Sequence, residues 1–220
     1  MGTMSTIERL PLTRQRIAEA ALLLGDDEGL DKLSMRKVGA SLGVEAMSLY
    51  NHVGNKDDLL DAVGDLLYSD VLSRYEQNPE ADWKDNARAL VFAFWDVAME
   101  HPNVAAIILD RPIPSVTKML FLQQCYEVFV SAGFPVNEAA LAFNTVAGWM
   151  TGVVRSELTL MRALFEQGAS FAKDDVPEEF HGVLDFMECC NAWTPVERVE
   201  AGFNTLLAGF EQELARKGWK

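Results

Sequence analysis

Cysteine is scarce in this chain of 220 residues: Cys125, Cys189 and Cys190 are too few and too oddly spaced for a disulfide framework, and sequence neighbours rarely pair well. A small disulfide-stapled fold is excluded, and a reducing compartment fits. Cys189 and Cys190 could form a thiol pair that senses metal or oxidant, but the expected reading is two small buried apolar side chains on one helix. Histidine is equally rare, at His52, His101 and His181. HExxH, GxSxG, P-loop and GxGxxG patterns are absent, as is any paired Cys/His spacing. Little remains for catalysis, so no catalytic residue, metal site or cofactor is expected. No apolar run approaches the roughly 18 residues of a membrane span, and the N-terminus lacks a signal-peptide pattern. A cytoplasmic protein without a membrane partner is expected. The start "MGTMST" meets the loose pattern for N-myristoylation, but nothing polybasic follows it. Internal repeats, low-complexity tracts and period-two alternation are missing as well.

Positive charge is also in short supply, with 19 Lys/Arg against 33 Asp/Glu and a net charge of −14. Taken whole, that argues against a nucleic-acid partner, because phosphates want cations. The distribution along the chain points the other way: residues 1–56 hold seven bases and seven acids, so the other 12 bases and 26 acids carry the entire −14. Within residues 32–56 four bases face one acid. A neutral, locally basic head on an acidic body suggests two domains with different partners.

What the chain does have is helical periodicity, with apolar residues three and four apart and sparse Gly and Pro, so an all-α protein is expected. Thr13 caps a first helix with Ile17, Ala21 and Leu24 inward, ending near Gly29. Ser34 caps a second, with Met35, Val38 and Leu42 inward. Gly43 supplies a left-handed turn, and Glu45 opens a third helix of about two turns held by Leu49 and Val53. A long fourth helix starts at Lys56. After the polar loop "QNPEAD" come large apolar helices broken at Pro102, at "RPIP" and at Gly133, then the longest periodic run from Val136. The loop "ASFAKDDVPEEF" precedes two final helices, for about nine or ten in all.

Two helices joined by a tight glycine turn, the second one short, form the geometry in which one helix enters the major groove while its predecessor braces on the backbone. With Leu49 and Val53 inward, Ala46, Met47 and Tyr50 face the bases. Ala46 and Met47 can touch a thymine methyl, and the tyrosine can reach base and phosphate. Arg36, in the first turn of the bracing helix, has the planar fork that matches guanine O6 and N7. Ser48, His52 and Lys56 fit phosphate contacts, Lys56 with help from the amides that open the fourth helix. Asn51 completes the exposed cluster. Such helix pairs also occur in all-α proteins that never touch DNA.

The stretch "LSMRKVGASLGVEAMSLYNHVGNKDDLLDAV" closely resembles the DNA-binding domain of the TetR family of bacterial transcriptional repressors, over residues 13 to 65. Gly43-Val44, Leu49-Tyr50, His52-Val53 and Lys56 with its following leucines carry the match. The remainder resembles the C-terminal domain of the tetracycline repressor subgroup through Trp83, the Arg111-Pro112 break, Gly133-Phe134 and "GWMTGVV". The resemblance implies an N-terminal helix-turn-helix domain (1–56), a connecting helix and loop (57–80), and a helical ligand-binding and dimerisation domain (81–220). It implies a homodimeric repressor that leaves a palindromic double-stranded DNA operator when a small molecule binds. Base contacts carry over to Arg36, Ala46, Met47 and Tyr50, and phosphate contacts to Ser34 or Met35, Ser48 and Lys56. Where drug-binding members hold metal and drug, this chain has Leu72, Leu90 and Ile108, so tetracycline–magnesium chemistry is not expected.

The body carries many aromatic and sulfur side chains, which suits a hydrophobic effector. Phe94, Arg111, Cys125 and Asn144, which the resemblance places on or close to the subgroup's pocket positions, are the expected ligand contacts, together with Trp149. Helices over 136–166 and 195–216 are expected to pair with a second copy, Gly148 and Gly152 permitting close approach and Ala201, Leu206, Phe210 and Leu214 forming an apolar stripe. A dimeric interaction module without DNA binding and, further off, a helical enzyme remain as rivals.

Overall fold

The computed structural model describes residues 11–112, 114–166 and 176–218, with the side chains of 160–166, 187, 190 and 191 excepted. The "MGTMST" pattern, most of the loop expected after Gly168, and the side chains of Met161 and Cys190 lie outside the described residues. Within them the chain forms ten α-helices and no strand: α1 (Arg14–Glu28), α2 (Met35–Leu42), α3 (Ala46–Leu49), α4 (Lys56–Arg74), α5 (Trp83–Glu100), α6 (Ala106–Asp110), α7 (Val116–Ser131), α8 (Val136–Glu166), α9 (His181–Asn191) and α10 (Pro195–Lys217). The protein is all-α.

Helix ends follow local chemistry. The Thr13 hydroxyl accepts from the Arg16 amide at α1, and the Ser34 hydroxyl from the Lys37 amide at α2. Gly29 (φ 86°) ends α1, and Gly43 (φ 68°) ends α2 in the left-handed conformation that costs glycine nothing. At α10 a capping box joins Thr194 and Glu197, with proline at the first position. These hydrogen bonds hold the Glu197 carboxyl below its ordinary range. The third helix is shorter than expected, a single turn that continues through Tyr50 as a turn rather than two full turns.

Two compact units result. The first is the chain as far as Arg74 together with Glu100–Phe121; the second is Tyr75–Met99 with Leu122–Lys220, so the division falls inside both α5 and α7. Ile17, Val38, Leu49, Val53, Leu59, Val63, Leu67, Val71, Val104 and Ile107 fill the first core. Burial of such side chains, at about 1.5–3 kcal/mol each, supplies the driving force. In this core α1 crosses α4, and Gly25 lets α1 approach Val104, whose Cγ1 would lie 2.5 Å from any added Cβ.

In the second unit Phe129, Phe134 and Phe210 meet edge to face at centroid distances of 5.7–6.2 Å, with Trp83 against Phe134. Phe210 and Leu214, expected on an outward stripe of the last helix, are therefore partly or wholly spent on this unit's own core. Ala201 stays exposed and Leu206 is half-buried. Trp149 of α8 stacks on Phe203 of α10 at 5.6 Å, over Gly202, where a Cβ would sit 3.0 Å from the indole. The Arg198 guanidinium clasps the buried Glu157 carboxylate with two bonds, of 2.8 and 2.7 Å, tying α10 to α8 a second time.

Candidate nucleic-acid interface

The candidate interface is built on the crossing of α2 and α3. Leu49 and Val53 are 0% and 1% exposed, which fixes the roll of the short helix. With those two positions pinned inward, Met47 (74% exposed) and Tyr50 (44% exposed) must project outward. Ala46 and Ser48 are half-buried, and Asn51 and His52 are exposed. The crossing is close because position 39 is glycine: a Cβ there would stand 2.9 Å from the Val44 carbonyl oxygen and 3.2 Å from the Ala46 nitrogen. The Val44 amide donates to the Gly39 carbonyl at 2.9 Å, closing the turn. The sequence signal for this role was an interior glycine in a helix, which costs about 1 kcal/mol against alanine and so asks for a packing reason.

Met35 corrects one expectation. It is buried in the head's core, so its side chain cannot reach a phosphate, and the helix end offers only main-chain amides there. Ser34 accepts from the Lys37 amide and keeps its hydroxyl hydrogen for another acceptor. Charge on the head is selective. Lys37 closes onto Glu28, pulling that carboxyl below its usual range. Arg36 is exposed and faces no carboxylate among the described residues, so its fork is available. Lys56 is exposed at the start of α4, its ammonium 3.4 Å from the Leu30 carbonyl oxygen.

The start of α4 is strongly fastened. Asn55 Oδ1 accepts from the Asp58 amide at 2.9 Å, while the Asp58 carboxylate accepts from the Gly54 amide at 2.7 Å and from the Arg14 guanidinium at 2.6 Å. Arg14 and the Gly54 amide hold the Asp58 carboxyl below its ordinary range. From the other side, Arg111 reaches Asp61 at 3.0 Å and Asp57 at 3.3 Å. Further along, Arg74 bridges Asp70 and Glu100, while His101 Nδ1 and the Asn103 amide grip Asp26 near the end of α1 at 2.8 and 2.6 Å. Asp70, Glu100 and His101 bring ligand atoms within 4.8 Å of one another. Arg74 already neutralises both carboxylates, so the group reads as an ion-pair network.

The five expected ligand contacts are distributed unequally. Arg111 belongs to the first unit, and its guanidinium is engaged with α4. In the second unit Cys125 is buried, its thiol pushed up to about 12 by desolvation, and Phe94 is half-buried. Asn144 is exposed on α8, so it does not line this unit's interior, and Trp149 packs on Phe203. Cys189 is exposed, which corrects its reading as a buried apolar side chain. Tyr75 had no sequence signal: it is buried, its hydroxyl has no partner among the described residues, and burial with nearby Cys125 raises its pKa to about 12.

Residues 17–63 match the family model for bacterial regulatory proteins of the tetR family, and residues 76–213 match that for the tetracyclin repressor-like C-terminal domain. An HTH-type transcriptional regulator of Saccharopolyspora erythraea is 33% identical over 146 residues, 66% of this chain and 61% of that protein. The HTH-type transcriptional repressor DrrR1 of Streptomyces coeruleorubidus is 31% identical over 173 residues, 76% of this chain and 62% of that protein. The matches thus span about three-fifths of these curated relatives. Among solved structures, the TetR family protein ActR of Streptomyces coelicolor, in complex with (S)-DNPA, superposes with a TM-score of 0.77 at 25% identity, covering 93% of this chain and 99% of that one. No helix among the described residues is long and apolar enough to cross a membrane.

Proposed function

The chain belongs to the TetR family of bacterial regulatory proteins, and on that premise we propose that it is a ligand-responsive, DNA-binding transcriptional repressor rather than an enzyme. The observation that carries the reading is the sidedness of α3: Leu49 and Val53 are buried while Met47 and Tyr50 stand out beside the unpaired Arg36. Arg36, Ala46, Met47 and Tyr50 read bases, and Ser34, Ser48, Asn51, His52, Lys56 and the main chain at Met35 hold phosphates. The reading face is largely apolar, so part of the sequence choice rests on Arg36 and on DNA shape.

The functional divisions are 1–56 for reading, 57–80 for connection, and 81–220 for effector binding and pairing. Two copies pair through α8 and α10. Gly148 and Gly152, where an added Cβ meets no atom within 4 Å, keep α8 open to a neighbouring helix, as Ala201 and Gly209 do on α10. A two-fold dimer reads a palindrome with half-sites one helical turn apart. The protein acts in the cytoplasm and needs no cofactor. Its effector is a small, mainly hydrophobic molecule, a reading supported by the aromatic and sulfur side chains of the body; ActR, which this chain resembles, was solved in complex with (S)-DNPA.

Release follows from linkage: an effector weakens DNA binding only by favouring a state in which the two heads no longer fit successive major grooves, and the coupling is reciprocal. The lever is α4, held at its start by Asn55 and Arg14 and gripped by Arg111 at Asp57 and Asp61. Gel shift with DNA from upstream of the protein's own gene tests the reading. A sequence-selective shift that weakens steeply with salt is expected, and its absence would sink the proposal.

A further inference from the structure

Lys118 stands in the first turn of α7, where its own amide is capped by the Ser115 hydroxyl at 3.1 Å. Its ammonium points to unusual company. It lies 5.5 Å from the centroid of the Tyr68 ring and 3.4 Å from the Arg111 carbonyl oxygen. Tyr68 is buried and fixed, its hydroxyl donating to the Ile108 carbonyl at 3.2 Å and its ring tilted against Phe121 at 5.1 Å. Phe121 itself is half-buried. The lysine is therefore seated over an aromatic wall, half out of water, and all of these residues belong to the first unit.

Among the described residues no carboxylate answers this charge. Burial lowers the pKa of Lys118, and no acid opposes the shift. The contrast with other cations is sharp. Arg74 and Arg111 in the same unit, and Lys84, Arg88, Arg198, Arg216 and Lys217 in the other, all close onto carboxylates. In a chain with 33 acids to 19 bases, leaving a partly desolvated ammonium without one is an exception. A ring face and one long carbonyl contact replace only part of its lost hydration.

We propose that Lys118, set on the wall of Tyr68 and Phe121, recognises an anionic oxygen of the effector, which is therefore an aromatic acid: a flat apolar body bearing an ionised carboxylate. This rests on the ligand-responsive reading above and names the chemical class it leaves open. The acids elsewhere repel a small anion at long range, so the site selects by contact and not by steering. A neutral analogue that fits the same space leaves the ammonium unanswered, which is the situation in which a polar site discriminates strongly.

The test compares 2-naphthoate and anthraquinone-2-carboxylate, each with its primary amide, titrated calorimetrically at about pH 7.5 against the intact protein. Wild type is expected to bind at least one acid about tenfold more tightly than its amide. Lys118→Met, which keeps the apolar stem, should lose that preference, and Lys118→Arg should keep it. Lys118→Gln stands in if the methionine variant does not fold. Equal binding of acid and amide in both pairs, or a preference that survives in Lys118→Met, overturns the proposal. Gel shift on the same samples separates the two readings. Wild type that binds operator without preferring acids defeats only the aromatic-acid inference, whereas wild type that binds no DNA defeats the regulator reading.

Discussion

At the scale of single residues, burial decides which groups can read DNA. Leu49 and Val53 were legible from spacing alone, because a short amphipathic helix has only one way to face a core. Met35 was not, since its apolar character suits both the core and the end of a helix, and only its packing inside the head decides between them. Gly39 left a weak trace for the same reason: its role is a distance between two backbones, 2.9 Å from a would-be Cβ to the Val44 oxygen, which no local pattern encodes. Gly39→Ala is accordingly expected to push α3 away from α2 and abolish operator binding while most helical signal survives, which circular dichroism beside gel shift would reveal. Arg36→Ala and Tyr50→Ala should each cost about 1–3 kcal/mol of specific affinity, whereas Lys56→Ala should weaken all sequences alike and lower the salt slope by about one. Fluorescence anisotropy with operator and scrambled duplexes at several salt concentrations separates these outcomes. An equal loss on both duplexes for Arg36→Ala would remove it from the base-reading set. Tyr75→Phe should leave the melting temperature unchanged or raise it, because it deletes a buried hydroxyl that has no partner.

At the scale of elements, helix positions were readable because caps and breakers lie in the sequence: Thr13, Ser34, Gly43, Gly133 and the Thr194–Glu197 box mark ends where the chain turns. The ties between elements were not readable, because they join residues far apart in sequence. Arg198 and Glu157 are 41 positions apart, and Arg111 and Asp61 are 50 apart. Each tie supports a different expectation. Arg198→Met leaves the Glu157 carboxylate buried without its partner, and should cost about 3 kcal/mol of stability in chemical unfolding. Arg111→Ala removes the grip on Asp57 and Asp61 at the start of α4. If α4 is the lever, that change should alter operator affinity although Arg111 carries no DNA contact, while unaltered affinity in the free protein would relocate the coupling to another element.

For the molecule as a whole, the net charge of −14 suggests a division of labour only once it is resolved along the chain, since a neutral head hides inside an acidic total. The same acids set the response to pH. Asp58, Glu28, Glu100, Glu197 and Glu213 are all held below their ordinary values, chiefly by hydrogen bonds to Arg14, Lys37, Arg74, Thr194 and Arg216. A carboxyl whose folded pKa lies below its unfolded value adds stability that is complete above the unfolded value, and loses it as pH falls through the folded one. The melting temperature should therefore hold between about pH 7 and pH 5, helped by easing self-repulsion, and fall below about pH 4. Asp58 offers the clearest single test, because it joins α1 to the start of α4 through Arg14 and also serves the Gly54 amide. Asp58→Asn should melt earlier than wild type near pH 7. The gap should close as the pH falls below the ordinary aspartate range, once the native carboxyl is itself protonated. Melting curves of both proteins across that range decide the matter, and a gap of constant size would show that Asp58 contributes through shape and not through its charge.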